Sequence, residues 1–327
     1  MIISRTPFRL PLGGGGTDLP SYYSQYGGLF ISGSIDKYMH LILNKRFEPG
    51  LRLSYAKTEI VDDPASIEHP SAREALRLLN IHDGIEIVSL ADAPANTGLG
   101  SSGSFTVGLL NVLYAHKRII KSPGEIAEEA CDIAMNKLGE PSGKQDEYVA
   151  SFGGIRSYEI SRDGRVTVSD LNLQEDVISE LENNMMMFYT GIKRSASEVL
   201  NVEQKQLSRI DGDSLQRMHE IKRIGVESRD ALKKGDLRRF GELLHEHWTV
   251  KRAITTGITN NNIDFWYSLA RENGALGGKL VGAGGGGFLI FYCDDGRQAV
   301  RAALARHGLR EHRFRFDFEG SKVIQNI

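Results

Sequence analysis

A chain of 327 residues, 40% hydrophobic and 25% charged, has the composition of a globular protein large enough for a sizeable core. Its 40 Lys+Arg against 42 Asp+Glu, a formal net charge of −2, give no electrostatic case for nucleic acid or an anionic membrane. No apolar run approaches a membrane span or a secretory leader, and the two cysteines, Cys131 and Cys293, form neither a disulfide framework nor a metal-ligand spacing, so the expected compartment is the cytoplasm.

In chain order, "IISRTPFRL", "GLFISGSI" and "YMHLILNKRF" are rich in β-branched and aromatic residues and predict three strands. A fourth, "GIEIVSLA" (84–91), leads into "PANTGLGSSGSF" (Pro94 to Phe105). After that glycine-rich stretch, Phe105, Leu109, Val112 and Leu113 recur at helical spacing and predict a helix from about Ser102 to His116. A second helix is expected from Pro123 to Leu138, with proline in its first turn and Gly139 just past its end. A third begins near Gly143. The second half opens with a buried strand, "NMMMFYTG" (184–191). Amphipathic charged helices follow at about 194–209, 213–234 and 236–252, then strand, glycine turn and strand in "KLVGAGGGGFLIFYC", and a helix near 296–307. The polar run "DLNLQEDVISELENN" suggests a domain junction near 170–185.

Glycine carries most of the functional signal. Its 36 residues gather in the short blocks "LGGGGTD", "TGLGSSG", "SFGG" and "GGKLVGAGGGGF", each flanked by apolar runs. Glycines opening a helix make an anion site, because unpaired amides point outward and no Cβ blocks an approaching phosphate. Ser101, Ser102 and Ser104 add hydroxyls that can cap the helix, bind phosphate or ligate magnesium. The stretch is neither GxxxxGK[ST] nor GxGxxG, and taken alone a serine-capped helix after a glycine turn is the alternative reading. "RTPFRLPLGGGGTDLPSYY" sets two arginines, four glycines and an aspartate before two tyrosines, which suits a polyhydroxylated ligand. In "GEPSGKQDEY" (139–148), Lys144 and Asp146 sit at a helix start, and an acid there is a candidate base for a hydroxyl nucleophile.

Together these segments resemble the GHMP kinases, the superfamily of galactokinase and of homoserine, mevalonate and phosphomevalonate kinases. The phosphate loop of that family is matched by Pro94 to Ser102, its N-terminal substrate segment by Arg9 to Asp18, and its C-terminal glycine motif by residues 279–288. Within it, "LGEPSGKQDEYVASFGG" and "FYTGIKRSASEVL" are similar to bacterial D-glycero-D-manno-heptose 7-phosphate kinases, with fucose kinase domains sharing part of the pattern. The resemblance implies an α+β, two-domain GHMP kinase fold: an N-terminal ribosomal-protein-S5-like domain over 1–180 and a C-terminal ferredoxin-like α/β domain over 181–327. It implies ATP and Mg2+ as cofactors and phosphorylation of the anomeric hydroxyl of a sugar phosphate, most like the heptose 7-phosphate. The alternatives are a kinase of free fucose or galactose, a kinase of a non-sugar alcohol, and a non-catalytic sugar or nucleotide sensor.

The same resemblance implies individual roles. Asp146 is the catalytic acid-base and Arg9 the cation that keeps it ionised. Pro94, Gly98, Leu99, Gly100, Ser101, Ser102 and Gly103, with Gly284 and Gly285, hold the nucleotide, and the Ser102 hydroxyl holds magnesium. Gly15, Gly16, Asp18 and Gly191 bind the sugar, while Arg194, Lys193 and Lys144 are the candidates for its distal phosphate. The position of the family's second metal ligand, a glutamate, reads here as Ala134, leaving Glu140, Glu129 or water to substitute. His245 and His247 are expected to be structural. Homodimerisation is left open.

Overall fold

The structure, a computed structural model, describes residues 1–192, 212–254 and 257–327. The first half is built on β1 (Ile2–Gly13), α1 (Pro20–Tyr26), β2 (Gly28–Lys45), β3 (Leu51–Ser54), β4 (Thr58–Val61), α2 (Pro70–Leu78) and β5 (Ile85–Ala91). Then come α3 (Ser101–Lys117), α4 (Pro123–Cys131), α5 (Gln145–Phe152), β6 (Ile155–Ile160), β7 (Val166–Asp170) and α6 (Glu175–Asn184). The second half comprises β8 (Met185–Tyr189), α7 (Gly212–Lys234), α8 (Leu237–Lys251), α9 (Asn261–Glu272), β9 (Gly277–Leu280), β10 (Phe288–Tyr292), α10 (Arg297–Arg306), β11 (Arg310–Glu311) and β12 (Lys322–Asn326). No helix among the described residues is long and apolar enough to cross a membrane.

Two sheets organise these elements. The larger runs β12-β1-β2-β5-β3-β4, with β6 and β7 continuing from the start of β2. All its pairings are antiparallel except β3 with β5. The smaller runs β11-β8-β10-β9. β12, from the end of the chain, pairs with β1, so the last strand returns to the sheet of the first half. Residues 175–184, inside the polar run taken as a junction, form helix α6 leading directly into β8.

The expected strands 28–35 and 38–47 are one continuous β2. Opposite β1, Phe8 pairs with Ile35 and Pro7 with Tyr38, so Asp36 and Lys37 bulge out rather than turn the chain. The expected helix 123–138 is likewise composite: α4 ends at Cys131, and Asp132–Lys137 is a π-helical turn. β1 alternates between buried and half-buried positions only at its start, then is buried continuously, because α3, α5 and α7 all pack on it. α3 comes closest at Gly108, where a Cβ would stand 2.7 Å from Thr6 Oγ1 and where Ser4 Oγ donates to the Gly108 carbonyl at 2.9 Å. That contact fixes the helix, and with it the loop at its N-terminus.

The two halves meet backbone to backbone. A Cβ at Gly98 would lie 2.3 Å from Val281 O, one at Gly282 would lie 2.7 Å from Gly98 Cα, and one at Gly287 would lie 2.1 Å from Thr97 O. All three have positive φ, so conformation and space both demand glycine. Gly84 also has positive φ but nothing within 4 Å of its would-be Cβ. Gly84→Ala is therefore expected to cost about 1 kcal/mol from backbone strain alone. Gly287→Ala should cost about 3 kcal/mol or more, because the loops must also part. Urea unfolding of the two variants measures this, and equal midpoints would show that the two loops do not press on each other.

Candidate active site

The cleft between the halves is walled by the 96–103 loop, the 15–19 turn, residues 140–147, and Lys251, Lys279, Gly282 and Ala283. Gly100, in the left-handed region at φ 76°, is the residue before α3, and no side chain caps the helix there. The first-turn amides of α3 thus begin at the cleft wall, an anion site. Ser101 and Ser102 line the cleft, whereas Ser104 is buried, its hydroxyl donating to Pro7 O at 2.9 Å. Leu99 is buried in the main core and anchors the loop. Pro94 is exposed and accepts from Thr97 Oγ1 at 2.9 Å. Both shape the loop without lining the cleft.

Asp146 stands in the first turn of α5. Its Cβ fills the place a side chain would take at Gly103, at 2.7 Å, and its carboxyl carbon lies 3.2 Å from the would-be Cβ of Gly100. Arg9 holds it from β1: Nε donates to Asp146 Oδ1 at 2.8 Å and Nη2 approaches the same oxygen at 2.7 Å. Arg9 also donates from Nη1 to Gly98 O and from its amide to Leu99 O at 3.1 Å. The two residues expected to work together are therefore joined, and both are tied to the phosphate loop.

Asp18 completes the opposite wall beside Gly15 and Gly16. Its Oδ1 accepts from Gly16 N at 3.0 Å and its Oδ2 from Gln145 N at 3.2 Å, so it organises the glycine turn and the start of α5 at once. Gly143 makes this approach feasible, since a Cβ there would lie 2.0 Å from Asp18 Oδ2. Burial, reinforced by the charge of Asp146, holds the Asp18 carboxyl above the usual aspartate range.

Several expected site residues stand elsewhere. Lys144 is turned out of the cleft: its ammonium donates to both Glu128 oxygens at 2.8 and 2.9 Å and to Gly164 O at 2.8 Å. A lysine so occupied has no donor free for a sugar phosphate. Gly284 and Gly285 do not line the cleft and are braced on Ile258, the Gly285 amide donating to its carbonyl at 2.8 Å. Gly282 and Ala283, two residues earlier, take the cleft position. Gly191 is exposed just beyond β8, and Lys193 and Arg194 lie outside the described residues. His245 bonds Tyr267 through Nδ1 at 2.7 Å, and His247 is fully buried.

Ala134 sits in the π-helical turn, and its carbonyl accepts from Glu140 N at 2.9 Å. Glu140 lines the cleft, and burial together with the charge of Asp146 raises its carboxyl above the ordinary glutamate value. Glu129, the other candidate substitute, is engaged by the Tyr114 hydroxyl at 2.5 Å and by Lys121 at 3.0 Å. Among the described residues no group of three or more His, Cys, Asp or Glu side chains is placed to hold a metal ion. Of the side chains that line the cleft, Glu140 and the Ser101 and Ser102 hydroxyls are ones that could share a magnesium ion with substrate phosphates and water.

Among further cleft residues that escaped sequence reading are Gln145, Glu147, Lys251 and Lys279. Gln145 Nε2 is buried with no hydrogen-bond partner. Lysine in the glycine-rich apolar run "GGKLVG" was the available signal for Lys279. Lys251 falls on the same helical stripe as the buried Leu244, His247 and Trp248, which was the signal there.

A cleft with bare amides at a helix start on one side and an arginine-held carboxylate on the other has the chemistry to move a phosphoryl group to a hydroxyl. Residues 70–154 match the family described as GHMP kinases N terminal domain and residues 228–309 GHMP kinases C terminal. The chain is 30% identical, over 98% of each sequence, to the D-glycero-alpha-D-manno-heptose 7-phosphate kinase of Campylobacter jejuni. Its fold matches the crystal structure of a putative sugar kinase from Campylobacter jejuni with a TM-score of 0.79, at 27% identity and covering 98% and 97% of the two chains. It also matches a D-glycero-D-manno-heptose 1-phosphate kinase from Bacteroides thetaiotaomicron with a TM-score of 0.81, at 24% identity over the full length of both. The chain belongs to the GHMP kinases, and it is an ATP-dependent kinase.

Glu147 makes a test of the cleft's electrostatics. It is buried beside Asp146, Cys131 Sγ donates to its Oε2 at 3.9 Å, and burial followed by the Asp146 charge pushes its carboxyl up to about 8 from 4.5. Between those values the folded state holds a proton that the unfolded chain releases, so stability is full below the lower value and falls as pH rises toward the upper one. Glu147→Gln removes the ionisable group. It is expected to melt above the parent at about pH 9, with the gap closing below about pH 5. A gap independent of pH, read by thermal melts across that range, would contradict the assignment.

Proposed function

We propose that the protein transfers the γ-phosphoryl group of ATP to the anomeric hydroxyl of D-glycero-D-manno-heptose 7-phosphate, giving the 1,7-bisphosphate. The observation that carries this reading is Asp146, held by Arg9 between the phosphate loop and the Asp18 turn. The relative from Campylobacter jejuni, named for that heptose phosphate, supports the choice of sugar.

In this reading the amides of Gly98, Gly100, Ser101 and Ser102 cradle the nucleotide phosphates, while Gly15, Gly16 and Asp18 grip sugar hydroxyls. Asp18, protonated or not, turns its oxygens toward a polyol that both donates and accepts. Asp146 orients the anomeric hydroxyl and takes its proton as the oxygen–phosphorus bond forms. The bond from phosphorus to the bridging oxygen breaks in the same event, and ADP leaves with the electron pair. Arg9 keeps Asp146 ionised and, by its hold on Gly98 and Leu99, keeps base and loop at a set separation. The Ser102 hydroxyl and the Glu140 carboxylate would hold magnesium, which when bound offsets charge on the phosphate oxygens. Lys193 and Arg194, following the exposed Gly191, are proposed to meet the 7-phosphate of the sugar.

Two measurements test this. Purified protein with ATP and magnesium is expected to release ADP with heptose 7-phosphate in preference to fucose, galactose, mannose or mevalonate. Preference for a free sugar would move the assignment, and release with none would overturn it. Asp146→Asn is expected to lower kcat by about 10²–10⁴ with nucleotide affinity nearly unchanged. Unaltered turnover would remove Asp146 from the chemistry.

A further inference from the structure

Arg9, Lys144, Lys251 and Lys279 are the buried basic side chains among the described residues, apart from histidine. Arg9 is paired with Asp146 and Lys144 with Glu128. Lys251 and Lys279 have no carboxylate partner among the described residues. Lys251 Nζ donates only to Gly282 O, at 3.2 Å. Both are under 9% exposed, both line the cleft, and they come from α8 and β9, which pack on each other. Charging a buried lysine without an anion costs several kcal/mol, and here the fold places two such lysines side by side. Such an arrangement persists where a ligand supplies the missing charge.

Position narrows the ligand. The carbonyl that Lys251 holds belongs to Gly282, whose backbone presses on Gly98 of the phosphate loop. Arg9, bound to both Gly98 and Asp146, is close enough to oppose the charge of Lys279. The lysines therefore face the space between loop and base. We propose that Lys279 and Lys251 form an anion subsite for the phosphoryl group in transit, closing over it from the side opposite the loop amides. This rests on the kinase reading above and adds to it two residues that would stabilise the charge spreading over the transferred group.

The protonation of Lys279 follows from the same geometry. Burial, then the charges of Lys251 and Arg9, push its ammonium well below the ordinary lysine value. Lys251 and His247 face it from α8 and Arg9 from β1, while Asp18, Glu140, Asp146 and Glu147 line the same cleft from the far side. A phosphoryl group arriving beside Lys279 would raise its proton affinity again.

Calorimetric titration with magnesium, in buffers of different ionisation enthalpy, compares ADP with the non-hydrolysable β,γ-imido analogue of ATP. The parent protein is expected to take up a proton with the analogue that it does not take up with ADP. Lys279→Met, similar in length and shape, should abolish that difference. It should weaken analogue binding by at least about tenfold with ADP affinity unchanged, and lower kcat by about 10²-fold with little change in KM for the sugar. Lys251→Met should act in the same direction. Should Lys279→Met fail to fold, the parent's own analogue-against-ADP comparison and Lys251→Met still decide the question. Equal proton uptake with both nucleotides, or full analogue affinity in the variants, would overturn the subsite. Loss confined to a sugar phosphate, with the unphosphorylated sugar unaffected, would move the lysines to the acceptor's own phosphate and equally overturn it. A parent protein that binds neither nucleotide would fail the kinase reading itself.

Discussion

The structure depends on two backbones being able to touch. Residues 97–98 of one half and 281–287 of the other approach so closely that Cβ atoms at Gly98, Gly282 and Gly287 would each fall within 3 Å of opposing backbone. At these points the peptide groups meet directly, so the separation of the two segments there is set by backbone. The N-terminus of α3 is delivered to the cleft from one direction by Gly108 packing on β1. From the other it is delivered by this glycine seam.

Charge is sorted across the cleft with similar economy. Asp18, Glu140, Asp146 and Glu147 come from the 15–19 turn and the 140–147 segment. Lys251 and Lys279 come from the second half, and Arg9 lies at the border, bonded to both Asp146 and the phosphate loop. Crowding carboxyls in a buried wall raises their proton affinity, as at Asp18, Glu140 and Glu147, while crowding cations lowers it at Lys279. The acidic wall suits hydroxyls, which donate to carboxylates and accept from carboxylic acids. The basic wall suits phosphate oxygens. The Arg9–Asp146 pair stands where the two chemistries must meet, which is where a hydroxyl would be joined to a phosphoryl group.

The position that the family resemblance gives to a metal-ligand glutamate holds Ala134. Ala134 offers no ligand, but the π-helical turn that contains it brings its carbonyl onto the Glu140 amide and leaves the Glu140 side chain at the cleft. A regular α-helix through Leu138, as Pro123 and Gly139 suggested, would not end its hydrogen bonding in this way. Glu129 had equal standing in the sequence. It is taken by Tyr114 and Lys121, a choice made by the packing of α4 on α3.

The glycine blocks, the start of α3, the strand and helix order around them, and the Arg9, Asp18 and Asp146 set were legible in the sequence. The glycines and the elements depend on a local requirement, positive φ, absent Cβ or helical period, whereas the Arg9, Asp18 and Asp146 set was implied by the family resemblance. Two strands merged into β2 because a bulge at Asp36 and Lys37 looks, residue by residue, like a turn. Lys144 looked free beside the base, yet Glu128, sixteen residues earlier, claims it. Lys251 stood unread within an amphipathic charged helix, and Lys279 within a motif valued for its glycines. Sequence alone determined where the backbone must be bare and which acid stands beside it. Which cations face the cleft was decided only by tertiary structure, because a side chain's electrostatic partner depends on which distant segment packs against it, and no local pattern encodes that.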